Sequence, residues 1–501
     1  MRTPAALCAS LAALAALAIH GAPAVGAPPL AECRLPGLRH SVLCGVVQRP
    51  LDPARPAGAT IAVHYVVVPA MARRKLPDPV FLLAGGPGQS AIDIAPATWP
   101  LFSRLNNRRD IVYVDQRGTG RSAPLACPDT RHEPLAAQAD PNRPFEQLMA
   151  CQAALLELPY LHAPADLGLF TTTIAMQDLD AVRRQLGAVR INLVGVSYGT
   201  RAALEYLRQF PATVRRSVLD AVAPPDMALP ASFSTDGQAA WDALLRDCER
   251  DPACRQRFPA LRADWSALLA SLPKPVSAAQ PHSGALEHFR LTRAMVLGAV
   301  RGALYSPAVA AALPAAVTEA AAGRYEGLIG VGALLTSGKS AAPAMGMHFS
   351  VVCAEDMAGL ADLPRAVANP PGIDFGTDQA ALYARACARW PRGAVPAAFY
   401  RVARSATPAL LFSGGLDPVT PPRHGERVAA ALGPSAQHVV VPQGGHGVMA
   451  IGCARDVVFR FIDATDDRDA TGVDASCLKA IPRPPSFQPP GLERLPTGAA
   501  K

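Results

Sequence analysis

One stretch of the chain combines an apolar run, a Gly-x-Ser-x-Gly motif and a helical segment. Residues 190–196 are rich in β-branched side chains, Ser197 stands between Gly195 and Gly199, and residues 201–210 carry Ala and Leu. This order predicts a strand, a sharp turn and a helix, with the serine at the turn. The flanking glycines make the strained backbone of such a turn sterically possible. The alternative interpretation is an ordinary glycine-rich loop.

A turn of this kind makes the serine hydroxyl accessible and creates a site for negative charge. The backbone N–H of Tyr198 would lie at a helix N-terminus, where it can hold a developing oxyanion. A second oxyanion donor is expected in the glycine-rich turn after the apolar run at 79–84. Gly86 is the candidate donor and Gly85 the next choice. The alternative is a plain turn at a strand end.

The sequence up to about residue 225 alternates between short apolar runs and helical segments. Further strands are predicted at 59–69, 110–115 and 214–222, and a helix at 171–186. Continuous apolar strands that end in Gly-rich turns are typical of a buried parallel sheet. The pattern predicts an α/β fold with a doubly wound, mostly parallel sheet, whose ligand site lies at the carboxyl ends of the strands.

The alternation stops after the strand near Asp220. The following segment is rich in Ala and Leu and broken by Pro and Gly, which favours a helical lid inserted into the core. Strand character returns at 408–413 and 437–442, and a last helix is predicted at 453–462. We expect a signal peptide at 1–27, core regions at 28–225 and 406–480, a lid at 226–405 and a Pro-rich tail at 481–501.

A serine nucleophile needs a base, and in this architecture the chain order is serine, acid, histidine. Asp417 follows the strand at 408–413, and His446 follows the strand at 437–442. Both stand in tight turns at the predicted catalytic edge. The sequence therefore predicts a triad of Ser197, His446 and Asp417.

Each triad assignment has an alternative. His438 is a rival base, although it lies inside the strand pattern and would point into a face of the sheet. Asp220 is a rival acid, because some serine hydrolases place the acid at the end of this earlier strand. Asp417 stands before a proline and could cap a turn. His446 stands between glycines and could lie in an exposed loop.

The N-terminus and the cysteines both bear on the cellular compartment. Residues 1–27 have a positive start, an apolar Ala/Leu core and a small-residue zone, which indicates a secretory signal peptide and an exported, periplasmic or extracellular protein. A retained anchor is the alternative, and no later run is long enough to span a bilayer. Ten of the eleven cysteines follow this segment, which favours disulfides over buried free thiols. The sequence does not fix the pairing, but pairing sequential neighbours, each within one local segment, would give Cys33–Cys44, Cys127–Cys151, Cys248–Cys254, Cys353–Cys387 and Cys453–Cys477.

Composition argues against several other functions. The formal net charge is +8, but the basic residues are scattered and lack the aromatic neighbours of a single-strand binding surface. No paired Cys or His spacing suggests zinc, and Gly118-Thr119-Gly120 lacks the full spacing of a dinucleotide motif. We expect no metal, no cofactor, no nucleic-acid partner and no stable membrane insertion, and the oligomeric state stays open.

Five motifs together resemble the α/β-hydrolase peptidases of the proline iminopeptidase and secreted tripeptidyl aminopeptidase type, including their C-terminal region. The string Asp115-Gln116-Arg117-Gly118-Thr119-Gly120-Arg121-Ser122 is the most specific of them, because generic esterases rarely carry it. Proline iminopeptidases usually have His before Gly-Gly-Pro-Gly, whereas this chain has Ala84, which points to the tripeptidyl branch. The five matching segments are Gly85–Ser90, Asp115–Ser122, Gly195–Thr200, Gly414–Pro421 and Gly445–Gly447.

The resemblance also implies acidic lid residues that hold the free α-ammonium of a peptide substrate. The segment 352–356 resembles the corresponding lid segment, with Glu355 as the first candidate and Asp356 as the second. The alternative is a surface glutamate on a helix. A carboxylate in a partly dry pocket pairs well with an ammonium group and would make an enzyme read chain ends.

These observations predict an exported serine aminopeptidase that works through an acyl-enzyme on Ser197. Its activity should fall as the pH drops through an imidazole-like pKa of ~6.5. An esterase or lactonase with the same triad is the enzymatic alternative. A binding protein on an inactive hydrolase fold is the non-enzymatic alternative.

Overall fold

The computed structural model describes five ranges of the chain, which are 30–130, 133–334, 342–357, 373–376 and 378–489. The predicted signal peptide and most of the predicted Pro-rich tail lie outside these ranges. The described part of the tail, 481–489, has neither helix nor strand.

A nine-stranded sheet organises the chain. Its strands and a separate hairpin are β1 Ala31–Cys33, β2 Val42–Pro50, β3 Thr60–Val68, β4 Val80–Leu83, β5 Ile111–Val114, β6 Ile191–Val196, β7 Val214–Asp220, β8 Lys274–Ala279, β9 Leu286–Leu291, β10 Ala409–Gly414 and β11 Ala436–Val441. The sheet order is β1-β2-β3-β5-β4-β6-β7-β10-β11, and β8 pairs only with β9. All pairings from β5 to β11 in this order are parallel, and those of β1, β2 and β3 are antiparallel. The predicted mostly parallel sheet is therefore confirmed.

Helices cover both faces of the sheet and fill the insertion. The α-helices are α1 Ala91–Asn106, α2 Leu135–Gln138, α3 Arg143–Leu155, α4 Thr172–Gln185, α5 Tyr198–Gln209, α6 Leu229–Arg250, α7 Pro252–Arg257, α8 Leu261–Ala270, α9 Arg293–Leu304, α10 Pro307–Ala310, α11 Leu313–Ala321, α12 Glu326–Leu334, α13 Met345–Glu355, α14 Asp378–Cys387, α15 Pro422–Leu432, α16 Ala454–Asp463 and α17 Asp467–Thr471. Short 3₁₀ helices are Pro164–Leu169, Pro211–Thr213, Ala397–Tyr400 and Ser476–Ala480.

Successive side chains of the parallel strands point to opposite faces, so the sheet separates two apolar cores. On β4, Phe81 and Leu83 join the core covered by α4, α5 and α15. Leu82 points to the other face and joins the core covered by α1 and α16. This doubly wound arrangement explains why the strands read as continuous apolar runs in the sequence.

The inserted segment divides into two parts that pack differently. Helices α6–α9 and α11–α12, with the β8–β9 hairpin, enclose a core of their own around Trp241 and Trp265. Helices α13 and α14 instead belong to the main core, through residues such as Phe349 and Tyr383. The sequence predicts a helical lid over 226–405 but misses the hairpin, whose first strand falls in a Pro-rich patch at 272–281. The second part of the insertion thus lies directly against the core that α4, α5 and α15 cover.

Five disulfides link the ten cysteines after residue 27, and every predicted pairing is confirmed: Cys33–Cys44, Cys127–Cys151, Cys248–Cys254, Cys353–Cys387 and Cys453–Cys477. One of them joins α13 to α14 within the inserted segment. Five disulfides in one chain indicate an oxidising environment. Among the described residues, no helix has the length and hydropathy needed to cross a bilayer.

Candidate active site

Ser197 stands alone between the end of β6 and the start of α5. Its backbone is at φ 56° and ψ −125°, a conformation that non-glycine residues rarely adopt. The Ser197 N–H donates to the carbonyl of Asp220 at 2.9 Å, which fixes the turn against β7. A Cβ on Gly199 would lie 2.1 Å from the carbonyl oxygen of Leu83, so only glycine lets α5 begin this close to β4. The strand, turn and helix predicted from the motif are therefore confirmed.

The structure brings His446 and Asp417 into direct contact. His446 Nδ1 lies 2.9 Å from one carboxylate oxygen of Asp417 and 3.1 Å from the other. Asp417 also accepts hydrogen bonds from the backbone N–H groups of Val419 and Thr420 and from the Thr420 hydroxyl. Because Nδ1–H donates to the carboxylate, Nε2 carries the lone pair of the neutral ring.

Ser197 and His446 line the same cavity, which has a volume of about 460 Å³. In the described part of the chain, no hydrogen bond joins the two side chains directly. Hydrogen bonds between catalytic groups are often long in enzymes without substrate and tighten when substrate binds. Asp417 is buried behind the imidazole and does not reach the cavity itself.

The charges of this pair support each other. Burial would lower the pKa of His446, but the charge and hydrogen bond of Asp417, with a contribution from Asp220, raise it above its ordinary value. Burial would likewise raise the pKa of Asp417, but the imidazole and the bonds from Thr420 hold that pKa below its ordinary value. The carboxylate is therefore ionised where it faces the ring.

The two rival residues make other contacts. Asp220 accepts hydrogen bonds from the backbone N–H groups of Val448 and Met449, so it holds the loop that carries His446. Burial raises the pKa of Asp220 to about 6. His438 Nε2 lies 3.0 Å from the hydroxyl of Ser413, and the ring is absent from the cavity lining.

Both expected oxyanion donors border the cavity. Gly86 and Tyr198 line it. Gly85 lies so close to the turn at Ser197 that a Cβ on Gly85 would be 3.3 Å from the Cβ of Ser197. Within the described ranges, the backbone N–H groups of Gly86 and Tyr198 donate to no protein acceptor. Such free donors beside a serine hydroxyl are what an oxyanion site requires.

The structure separates the two acidic residues expected to bind an amine. Asp356 lines the cavity, whereas Glu355 does not. Glu355 lies behind it, 2% exposed, and accepts hydrogen bonds from the backbone N–H and the hydroxyl of Thr172. The Arg201 guanidinium pairs with both oxygens of Asp356, at 2.8 and 3.1 Å, and lies 3.6 Å from Glu355.

This cluster therefore places two carboxylates around one guanidinium. Burial raises the pKa of Glu355 to about 7, although Arg201 and Thr172 act in the opposite direction. With both carboxylates ionised, the cluster would carry one uncompensated negative charge, which is costly inside a protein. A cation in the cavity next to Asp356 would compensate that charge.

Several lid residues that sequence reasoning missed also border the cavity. They share no motif, and each stands alone on a helix or at a helix end, so no local signal identifies them. Four such residues line the cavity: Arg301, Tyr305, His348 and Tyr383.

The Asp115–Ser122 string supports the site from outside the cavity. Asp115 accepts hydrogen bonds from the Ser90 hydroxyl and from the backbone N–H of Ile92, and so holds the start of α1. Arg117 is fully buried and pairs with Asp178 of α4 at 2.7 Å. The string therefore fixes the loops at the edge of the sheet where the parallel strands end.

Metal ligation is not evident at this site. Among the residues that the structure describes, no group of three or more His, Cys, Asp or Glu side chains is arranged to hold a metal ion.

Two family descriptions match the chain in separate regions. The alpha/beta hydrolase fold family matches residues 78–270, and the TAP-like protein family matches residues 372–474. Both regions contain parts of the sheet and site described above. This chain has the α/β-hydrolase fold.

Curated relatives of this chain include named peptidases. It is 31% identical over 192 residues to a tripeptidyl aminopeptidase from Streptomyces coelicolor, covering 37% of this chain and 36% of the relative. It is 26% identical over 233 residues to the serine protease Hip1 of Mycobacterium tuberculosis, with 44% of each chain covered. It is 29% identical over 222 residues to a probable proline iminopeptidase from Streptomyces coelicolor, covering 39% of this chain and 55% of the relative.

The chain thus spans between about a third and about half of the length of these relatives. The resemblance to the tripeptidyl aminopeptidase and proline iminopeptidase type, expected from the motifs, is confirmed at this modest level of identity.

Proposed function

We propose that this α/β-hydrolase is an exported serine aminopeptidase, which removes N-terminal residues or short peptides from peptides with a free amino terminus. One observation carries the proposal: a single cavity is lined by Ser197, by His446 in contact with Asp417, and by Asp356, whose buried carboxylate pairs with Arg201. Export is supported by the signal-like pattern of the first 27 residues and by the five disulfides.

The proposed chemistry begins with attack of Ser197 Oγ on the carbonyl carbon of the scissile peptide bond. His446 Nε2 takes the hydroxyl proton, and the resulting imidazolium is stabilised by Asp417. The N–H groups of Gly86 and Tyr198 hold the oxyanion of the tetrahedral intermediate. The C–N bond then breaks as the imidazolium gives its proton to the leaving amine.

Hydrolysis of the acyl-enzyme follows by the same route with water as the nucleophile. His446 takes a proton from the water, and the second tetrahedral intermediate collapses to release the carboxylate product. The proton returns to Ser197 Oγ, so the enzyme is restored. Side chains and backbone N–H groups of this chain perform each of these steps.

The proposed amine anchor is the carboxylate pair of Glu355 and Asp356. Asp356 would contact the substrate ammonium directly, because it lines the cavity. Glu355 would contribute its charge from behind, because it shares Arg201 with Asp356. An ammonium bound there compensates the excess negative charge of the cluster, and an acylated, uncharged terminus does not. This difference would make the enzyme read chain ends.

A substrate comparison tests the proposed function. Purified protein is assayed on aminoacyl anilides and short peptides with a free amino terminus, on the same compounds with an acetylated terminus, and on p-nitrophenyl esters. The proposal expects the highest kcat/KM on the free-amine compounds. Turnover of esters without any free-amine peptidase activity would identify an esterase or lactonase instead.

Active-site labelling tests the catalytic part separately. A fluorophosphonate should label the wild-type protein at Ser197 and fail to label Ser197→Ala. A wild-type protein that is folded but not labelled would favour a binding protein on an inactive hydrolase fold.

A further inference from the structure

A chain of two hydrogen bonds in the wall of the cavity links the lid to the glycine-rich turn after β4, which carries the proposed oxyanion donor Gly86. His348 Nδ1 lies 3.1 Å from the carbonyl oxygen of Pro87, and His348 Nε2 lies 2.7 Å from the hydroxyl of Tyr383. Pro87 belongs to the glycine-rich turn after β4, His348 to α13 and Tyr383 to α14. All three residues line the cavity that contains Ser197.

The chemistry of the partners fixes the direction of both bonds. A carbonyl oxygen can only accept, so His348 must donate through Nδ1–H to Pro87. The neutral imidazole then carries its lone pair on Nε2 and accepts the hydroxyl proton of Tyr383. With its proton engaged in this way, Tyr383 Oη has only lone pairs left for any other partner.

The neutral state of His348 is favoured by its surroundings. Burial lowers its pKa below the ordinary value, although the Pro87 carbonyl and the charge of Asp356 oppose this effect. The ring therefore stays neutral at neutral pH, and the direction of the bond from Tyr383 is maintained.

Packing holds the tyrosine in place. The Tyr383 ring contacts Phe233 and Phe349, with ring centroids 6.0 and 5.1 Å away. A disulfide between Cys353 and Cys387 joins the two helices that carry the pair. The hydroxyl is thus pre-positioned and need not be ordered when a ligand binds.

We propose that Tyr383 Oη is an acceptor for the substrate α-ammonium, together with the carboxylate of Asp356, and that His348 is the positioning residue that keeps this oxygen an acceptor. Asp356 lines the same cavity and acts electrostatically on both His348 and Tyr383, although Arg301, which also lines the cavity, acts more strongly on Tyr383 and in the opposite direction. This inference rests on the proposed aminopeptidase function. It adds a specificity residue that distinguishes a charged amino terminus, with three N–H donors, from an acetylated one, with a single donor and no charge.

The variant Tyr383→Phe tests the acceptor directly, because it removes one oxygen and keeps the ring. We expect the KM for free-amine peptides to rise about tenfold or more, since hydrogen bonds to charged groups are strong, with a much smaller effect on the kinetics of p-nitrophenyl esters. Tyr160→Phe is the matched control, because that hydroxyl donates to Pro124 outside the cavity. An equal effect of Tyr383→Phe on esters and free-amine peptides would overturn the proposal.

One substitution of His348 separates its two contacts. Asn is expected to preserve a donor near Nδ1 for Pro87 and to remove the acceptor for Tyr383, so His348→Asn should raise the KM for free-amine peptides as Tyr383→Phe does. Combining His348→Asn with Tyr383→Phe should add little, because both changes remove the same interaction. Fully additive losses would contradict the positioning role.

Binding to an inactive variant keeps this inference separate from the proposed function. In a Ser197→Ala background, calorimetry should show that a free-amine tripeptide binds more tightly than its acetylated form, and that adding Tyr383→Phe reduces this preference about tenfold or more. Absence of the preference, or its persistence without the hydroxyl, would overturn the role of Tyr383. Peptides that bind with the expected preference but are not cleaved by wild-type protein would overturn the peptidase function alone.

Discussion

The backbone N–H of His446 donates to the carbonyl oxygen of Tyr305 at 2.8 Å. Tyr305 caps the C-terminus of lid helix α9, and its ring also packs edge-on against the imidazole, with centroids 5.0 Å apart. The lid therefore holds the proposed catalytic base through the main chain as well as through a side chain. The lid and the loop that carries His446, here called the base loop, should therefore move as one unit.

This contact predicts the effect of Gly445→Ala. The added Cβ would lie 2.4 Å from the Tyr305 carbonyl oxygen, so the base loop or the end of α9 must shift. We expect kcat to fall about tenfold or more on esters and peptides alike, because a small displacement of a catalytic group is costly. Gly330→Ala on α12 is the control, because nothing lies within 4 Å of the added Cβ. Full activity of Gly445→Ala would show that the contact is dispensable.

The two acidic residues near the base should respond differently to amide substitution. Asp417→Asn should lower kcat by about 10⁴-fold, because the amide no longer orients and stabilises the imidazolium. Asp220→Asn should mainly lower the melting temperature, because Asp220 accepts backbone bonds from the base loop. Steady-state kinetics and thermal unfolding of both variants check this. The reverse pattern would make Asp220 the catalytic acid.

The pH dependence of activity follows from the raised pKa of His446. The base must be neutral to accept the serine proton, so kcat/KM should be lost as the pH falls through a value above 6.5. Asp417→Asn removes the charge that raises this pKa. The acid limb of any residual activity should therefore lie at a lower pH than in the wild-type protein. Profiles of kcat/KM on a neutral ester measure both limbs. An unshifted limb in the variant would exclude Asp417 as the main cause.

The anchor carboxylates should control the affinity for charged amino termini. Asp356→Asn and Glu355→Gln each leave one carboxylate beside Arg201, so the cluster loses its excess negative charge. Both variants should raise the KM for free-amine peptides far more than for esters, and Asp356→Asn should have the larger effect because it lines the cavity. Kinetics on both substrate types, with melting temperatures as the check on folding, decide the matter. Equal effects on both would remove the anchor.

The disulfide pattern predicts a thiol count and a loss of stability. Unfolded, unreduced protein that lacks residues 1–27 should contain no free thiol, because its ten cysteines form five bonds. Replacing Cys353 and Cys387 by Ala should lower the free energy of unfolding by about 2–4 kcal/mol. Thiol titration and denaturant unfolding measure these quantities. Several reactive thiols in the wild-type protein would contradict the pairing.

Local patterns were sufficient for most of the fold. The buried strands β4, β5, β6, β7 and β10 stand within a residue or two of their predicted positions, because continuous apolar runs bounded by Gly or Pro are legible in one dimension. The partly exposed strands β1, β2, β8 and β9 were missed, because polar residues, Gly and Pro weaken their pattern. The disulfide pairs were accessible for a similar reason, since the longest joins cysteines only 34 residues apart.

The sequence also predicts turns at Ser197, Asp417 and His446, because each residue stands in a glycine-rich segment directly after an apolar run. No such mark distinguishes Glu355 from Asp356, although one is sealed behind the cavity wall and the other lines it. The proposed role of His348 and Tyr383 depends on a hydrogen bond from His348 to the carbonyl of Pro87, which lies 261 residues earlier in the chain. The direction of a side chain and the identity of its distant partner depend on the packing of the whole chain, and no short pattern of residue types encodes them.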